Sequence, residues 1–487
     1  MGDFLMGVLP VAGMALAACL LFLLAAVVKN ARLMGGLGVA AILLLGGAPV
    51  LLLWSEGGRV APQTLLSADR LALFFDGLFV LAAALVALLS LDYFRRKDSE
   101  HGELFGFLAL AATGMMVLGS ATNLVTFYLG LETMSISFYV LAAFLRTHEN
   151  AVEASLKYFL LGAFSSAFLL FGMALIYGSA GSLDFGGVAA VLASGSPALG
   201  EPFLLLGFFL FLVGLFFKLS LVPFHFWAPD VYQGSPTPVT ALMAVGGKTA
   251  AAAGAIRIFL SAFQTSPLLS EKWLLLFATV GLLTIFVGSM IAITQRQMKR
   301  LLAYSSIVHA GFIALGLGTL AVPGLRGPML EAVLFYLAAY LLMNVGAFTV
   351  AGAVETPGRT DEALTAYAGL GTTAPFAGAL LSVFMFSLAG IPLTAGFLGK
   401  FYVFRVLVHG GYYWYAALGL VGAVIATYYY LKVVVALYFP GQDAEIPPAP
   451  KMGAVTLGVL GLMGAGTLYL GVFPGFLNAL VAGLTIG

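Results

Sequence analysis

Six basic side chains, Lys157, Lys218, Lys248, Arg257, Lys400 and Lys432, fall inside stretches otherwise built of apolar residues. Holding a lysine at bilayer depth costs about 2.5–3.5 kcal/mol on insertion scales, so each needs a partner or water to offset that cost. Desolvation weakens a lysine's hold on its proton, and a nearby carboxylate strengthens it again. A lysine whose carboxylate neighbour can approach or retreat is therefore a controllable proton holder.

Four residues best fit that chemistry. Glu132 stands near the middle of TFYLGLETMSISFYVL, where an unpaired carboxylate is costly, and its expected partner is Lys218. Lys218 lies in LVGLFFKLSLVPFHFWAPD, five residues before Pro223. Lys248 is set among small residues in ALMAVGGKTAAAAGAIRIF, which let helices pack closely and leave room for water. Lys400 follows Gly390, Pro392, Gly396 and Gly399 in SLAGIPLTAGFLGKFYVF. His309, in SSIVHAGFIALG, fits a proton relay as well as a satisfied core histidine. Lys432, in YYYLKVVVALY, fits snorkelling at least as well as function. Arg257 and Glu331 read as structural charges near helix ends, and Asp76 near the end of its run is not expected to take part.

These charges recur. Glu132 and His309 are 177 residues apart, Glu153 and Glu331 are 178, Lys218 and Lys400 are 182, and Lys248 and Lys432 are 184. Two blocks of five helices repeated at one offset would enter the membrane from opposite faces, because five is odd, which is the inverted-topology repeat of many transporters. Gly and Pro at membrane depth mark discontinuous helices, whose freed backbone groups are tolerated only beside protein or a watered cavity. A broken helix can admit the water that keeps Lys218 solvated. The plainer alternative is a proline kink with a snorkelling lysine.

The elements that must position these residues are membrane helices. Of 487 residues, 61% are hydrophobic and 9% charged, with mean hydropathy +1.06, which excludes a soluble globular chain. Fourteen apolar runs reach membrane length: 4–28, 33–54, 71–91, 104–120, 122–145, 155–178, 202–227, 238–262, 273–293, 301–322, 329–353, 375–407, 411–439 and 453–485. The expected fold is thus an all-α polytopic membrane protein with helices seven and twelve broken. It divides into an N-terminal three-helix segment (1–103), a first five-helix repeat (104–262, spans four to eight), a second, inverted repeat (273–439, spans nine to thirteen) and a C-terminal helix (453–487). Eleven Lys and Arg residues fall on odd-numbered connections, among them Arg95, Arg96, Lys97 and Arg359, against five on even-numbered ones, among them Arg59 and Arg326. The odd connections should face the cytoplasm, with both termini on the other side.

Several functions are excluded or unsupported. A net charge of +1 gives no case for nucleic acid. One cysteine, Cys19, can neither form an intrachain disulfide nor ligate an iron–sulfur cluster or structural zinc. The small residues before Cys19 suggest a lipoprotein cleavage site, but no basic residue precedes them and the apolar run continues to Val28, so an uncleaved first span is expected. His225 and His309, on different spans, cannot supply the four ligands of a two-haem cytochrome. No phosphate loop and no Ser-His-Asp set are evident.

With these residues placed, the chain resembles the antiporter-like subunits of respiratory complex I, the proton-translocating NADH:quinone oxidoreductase. The resemblance spans nearly the whole chain and is most specific in YLGLETMSISFYVL, KLSLVPFHFWAPDVYQGSPTPVTALMAVGGK, KRLLAYSSIVHAGF and LAGIPLTAGFLGKFYVF. Within that family it is most similar to the N type: it has no long lateral C-terminal helix as in the L type, and Lys400 stands where the M type would carry glutamate. The resemblance implies that Glu132 and Lys218 form the first proton-handling pair, tuned by Glu153, that Lys248 is the central relay, and that Lys400 is the terminal site. It also implies a bacterial plasma (inner) membrane location, lipid-embedded neighbours that include an M-type subunit and small quinone-proximal subunits, and no cofactor on this chain. FMN, iron–sulfur clusters and quinone would belong to other subunits. A subunit of a multisubunit sodium/proton antiporter, and a structural membrane subunit, are the competing readings.

Overall fold

The computed structural model describes residues 2–58, 65–99, 101–195, 197–355, 363–441 and 445–484, with the side chains of 2–5 excepted. Arg59 and Arg359, used above for orientation, lie outside these residues. Among the described residues, thirteen helices are long and apolar enough to cross a membrane, each matching one expected run. The remaining run, the twelfth, is split into Pro375–Ala389 and Ala395–His409. The fourth and fifth runs are separate helices, Glu103–Ser120 and Leu124–Ala142, because Asn123 caps the second by accepting from the Val125 amide.

The connections sort onto two faces. On one, Arg96 donates to the carbonyls of Gly352 and Ala353, Lys299 to that of Ser235, and the Leu364 amide to Arg296, so odd-numbered connections meet one another. On the other, the Ser67 amide donates to Ser120, Asn123 to Asp184, Thr265 to Ala189, and the Gly483 amide to Glu331. There Asp69, the cap of helix Arg70–Arg96, is buried against Arg257. Burial pushes the Asp69 carboxyl up, but the Arg257 charge and hydrogen bonds outweigh it and hold it below its ordinary range.

At the centre stand spans eight (Thr237–Ser261) and ten (Met298–Thr319), wholly buried, with span eleven almost so. The Ala-rich sequence of span eight permits this, since small side chains bring neighbouring backbones close. Spans six, nine and thirteen are mostly exposed, and their outward residues, Phe164, Leu283 and Val424 among them, are apolar. The structure also departs from the expected elements. Span eight contains a π-helical turn, Met243–Gly247, ending at Lys248, and span two contains another, Ile42–Gly47. A short helix, Phe185–Ser194, follows span six. The C-terminal run is two helices, Ala454–Val472 and Gly475–Val481, with Pro474 between them.

Candidate functional site: buried lysines at two helix breaks

The seventh span breaks earlier than its proline suggests. Helix Glu201–Leu219 ends at Ser220, which adopts a left-handed conformation (φ 59°), and the chain resumes as Trp227–Gly234. Lys218 is therefore in the last turn of a half-helix rather than deep inside a continuous one. Side chains satisfy the broken backbone: the Trp227 indole donates to the Phe217 carbonyl (3.0 Å), and the Val222 amide donates to Thr284 Oγ1 on span nine (3.0 Å). A lysine in the last turn lies in the negative end of the helix dipole, which offsets part of its desolvation.

The twelfth span breaks at Gly390, whose φ of 91° suits glycine, and resumes at Ala395. Gly396 is obligatory, since a Cβ there would stand 2.0 Å from the Ser387 carbonyl oxygen. Lys400, one turn into the second half, reaches back so that its Nζ donates to the carbonyls of Leu388 (2.7 Å) and Ala389 (2.9 Å). It thereby caps the first half-helix. Pro223 and Pro392 are 169 residues apart, against 182 for the two lysines, so the lysines occupy different places relative to their breaks.

Glu132 and Lys218 are neighbours in charge but are not joined by an ion pair among the described residues. Glu132 Oε1 accepts from Ser166 of span six (2.5 Å), while Lys218 Nζ donates to Ser135 Oγ (2.7 Å), one turn along the same helix as Glu132. The two are partners through their charges, while hydroxyls on spans five and six take their hydrogen bonds separately. The rings of Tyr139 and Tyr158 lie 5.7 and 5.9 Å from Lys218 Nζ.

Lys248 is 1% exposed, and its Nζ makes no hydrogen bond among the described residues. The π-helical turn before it frees a backbone position, a local device common at functional sites. Its charge acts on His225, in the first break, and on His309. His309 is also within reach of the Lys400 charge. The imidazole Nδ1 contacts Tyr336 OH (2.6 Å) and Nε2 contacts Tyr430 OH (3.2 Å). Tyr430 OH in turn meets Ser305 Oγ (2.5 Å), and Tyr340 donates to Ser306 (2.7 Å). Glu132 and Lys218 thus lie in electrostatic reach of each other, and Lys248, His309 and Lys400 form a second group in electrostatic reach, to which the tyrosines and serines around His309 belong. The spacing of Tyr336 and Tyr340, four residues apart on one helix face, and the Tyr428-Tyr429-Tyr430 run carry that signal in the sequence.

Glu153 and Lys432 stand apart from both groups. Glu153 is exposed and pairs with Lys157 (2.6 Å), which also pairs with Asp230 (3.0 Å), itself bound by Arg300 (2.6 Å). Burial pushes the Asp230 carboxyl up, and the hydrogen bonds from Arg300 and Lys157 more than reverse this, holding it below the ordinary range. Lys432 Nζ donates to the Gln295 carbonyl (3.1 Å) at the end of helix Pro267–Thr294, a C-terminal cap.

Similarity to known proteins agrees with this geometry. A family model described as NADH:quinone oxidoreductase/Mrp antiporter, TM, matches residues 121–426. A protein of Trichlorobacter lovleyi named NADH-quinone oxidoreductase subunit N is 43% identical over 406 residues, covering 83% of this chain and 81% of its own. One of the same name from Paramagnetospirillum magneticum is 42% identical over 456 residues, covering 93% and 92%. Among solved structures, a chain of respiratory complex I from Thermus thermophilus superposes with a TM-score of 0.81 at 34% identity, covering 97% of this chain and 99% of that one. A chain of the Mrp complex from Dietzia sp. shares the fold, with a TM-score of 0.83 at 21% identity, covering 99% and 96%. The chain belongs to the NADH:quinone oxidoreductase/Mrp antiporter family and, within it, to the subunit N group of NADH-quinone oxidoreductases.

Proposed function

We propose that this chain is an antiporter-like membrane-arm subunit of complex I that moves protons along its mid-membrane row of charges. NADH oxidation and quinone reduction, on FMN, iron–sulfur clusters and quinone held by other subunits, would drive it. The observation that carries the reading is the burial of three lysines, Lys218, Lys248 and Lys400, in the membrane-spanning part of the chain, Lys248 with no hydrogen bond among the described residues. An ammonium with no partner in a dry site is costly unless its charge can change or water can reach it.

In this reading Glu132 and Lys218 form the first site. The Ser135 and Ser166 hydroxyls hold the two charges apart, and their rearrangement lets the carboxylate approach or leave the lysine. Approach strengthens the proton on Lys218; retreat releases it towards Lys248, His309 and Lys400. The tyrosine and serine hydroxyls around His309 both donate and accept, which suits them to hand a proton on. Glu153 remains a candidate for tuning the first site from the face, and Lys432 a candidate for the far end of the row. The odd-numbered connections would face the cytoplasm of a bacterial plasma membrane, with both termini opposite. An M-type subunit and the small quinone-proximal subunits would be the neighbours.

The test is to purify the native assembly through a tag on this chain in mild detergent and record its visible spectrum, flavin content and NADH:quinone activity. Flavin and iron–sulfur absorbance with that activity is the expected result. A colourless assembly of hydrophobic subunits would overturn the reading and favour a subunit of a sodium/proton antiporter, whose exchange needs no electron donor.

A further inference from the structure

Away from the row, on the face where the odd-numbered connections meet, a second set of charges is buried. Glu355, just past the end of helix Arg326–Val354, is 6% exposed. Its Oε2 accepts from Tyr93 OH (2.7 Å) and lies 3.5 Å from Lys97 Nζ. Its Oε1 accepts from Thr237 Oγ1 and lies 3.7 Å from Lys299 Nζ, which also donates to the Ser235 carbonyl. Donors from spans three, eight and ten therefore converge on one carboxylate.

Two features set this cluster apart from an ordinary ionic staple. First, it sits at the head of the two wholly buried spans. Thr237 begins the span that carries Lys248, and Lys299 begins the one that carries Ser306 and His309. Lys248 is eleven residues beyond Thr237 and His309 ten beyond Lys299, about 15–17 Å of helix in each case. Second, a cavity of about 370 Å³ reaches it, lined on one side by Glu355, Lys97 and Arg96 and on the other by the exposed Pro448, Ala449 and Lys451. That volume holds several water molecules. A staple needs no such access; a group that exchanges protons with solvent does.

We propose that Glu355, with Tyr93 and Thr237, is the site at which protons are taken up from this face and started towards Lys248 and His309. A proton arriving through the cavity's water is held on the Glu355 carboxylate and its hydroxyl partners. The Lys97 and Lys299 ammonium groups lie 3.5 and 3.7 Å from the Glu355 oxygens, and Arg96, engaged with the Gly352 and Ala353 carbonyls, adds positive charge to the cavity wall. The inference rests on the proton-translocating reading above.

The experiment uses the intact complex in proteoliposomes, with NADH-driven proton uptake and NADH oxidation measured together for Glu355→Gln, Glu355→Asp, Ala449→Trp and Lys248→Ala. Losing a positioned proton carrier should cut pumping about tenfold or more in Glu355→Gln, and Glu355→Asp should restore most of it. Ala449→Trp lies on an exposed connection and leaves the ionic cluster untouched, so a purely structural Glu355 predicts no effect from it. Plugging the cavity should instead make pumping fall at a lower pH of the Ala449 side than in the wild type, because fewer protons are available as pH rises. If Glu355→Gln prevents assembly, Ala449→Trp decides the matter, and a wild-type pH profile in that variant overturns the proposal. Normal pumping by Glu355→Gln with loss in Lys248→Ala overturns it while the translocation reading stands. Normal pumping in Lys248→Ala as well overturns that reading itself.

Discussion

The two broken helices hold their lysines by different means. Lys218 precedes its break and is held by a side chain, Ser135, beside the tyrosine rings of spans five and six. Lys400 follows its break and is held by two backbone carbonyls, those of Leu388 and Ala389. A hydroxyl can turn and a neighbouring carboxylate can shift, so the environment of Lys218 is adjustable. The carbonyls at the end of a half-helix are fixed in number and direction, so Lys400 sits in a constant field. In the proposed mechanism the first lysine would be switched and the second would receive.

That contrast can be broken in graded ways. Methionine at either position should cut coupled proton pumping about tenfold or more, since each removes a positioned proton carrier; proteoliposome assays report it, and near wild-type pumping by Lys218→Met would end the distinction. Stability should separate them. Lys400→Met leaves two half-helix carbonyls without their cap and should cost about 1–2 kcal/mol, whereas Lys218→Met, which releases one hydroxyl and removes a cation from a helix end beside Glu132, should cost less, about 0.3–1 kcal/mol, in a thermal-shift assay of the complex. Ser135→Ala should lower pumping by a smaller factor, about two- to fivefold, as expected for one lost hydrogen bond of about 1 kcal/mol, and Ser387→Ala near the second break should leave pumping unchanged. Lys432→Met should cost about 0.3–1 kcal/mol as a lost helix cap, with pumping lowered if Lys432 closes the far end of the row and intact if it only caps.

The smallest expected effect concerns pH. Asp230 is held below the ordinary carboxylate range by Arg300 and Lys157, so what it contributes to stability is present above the unfolded value, about 3.9, and is lost as pH falls through the lower folded value. Asp230→Asn should accordingly lose a small stabilisation at neutral pH and flatten the fall in stability that the wild type shows in thermal unfolding below about pH 4. Because Asp230 and Lys157 are well exposed, the effect should shrink further with added salt.

Much of the fold was legible because a membrane imposes a length rule, and each apolar run found its helix. Breaks were legible through Pro223, Gly390 and Pro392, but their positions were not. The first break begins at Ser220, where a left-handed serine ends the helix, and hydropathy reads straight through it. Both π-helical turns end in a glycine pair, Gly46-Gly47 and Gly246-Gly247, a signal visible in the sequence once its meaning is known. Lys218, Lys248 and Lys400 stood out because charge in an apolar run is conspicuous. Tyr336, Tyr340 and Tyr430 did not, because tyrosine is ordinary in a membrane helix until its hydroxyl is seen to meet His309 or a serine. Glu355 escaped notice because it lies just beyond its apolar run, where a carboxylate is normally solvated; only the tertiary structure buries it. Pairing Glu132 with Lys218 by charge was legible, but the serines that take their hydrogen bonds were not, because a hydroxyl in an apolar run gives no sign of what it reaches.

The central claim is that Lys218, Lys248 and Lys400 carry protons in step with electron transfer. Its most direct test is the number of protons pumped per NADH oxidised by the Lys248→Ala complex in sealed proteoliposomes. The account expects a complex that assembles with its full flavin content yet pumps at least severalfold less than the wild type. A Lys248→Ala complex with the wild-type ratio and the wild-type rate would contradict it, and would leave the buried lysine as a structural charge.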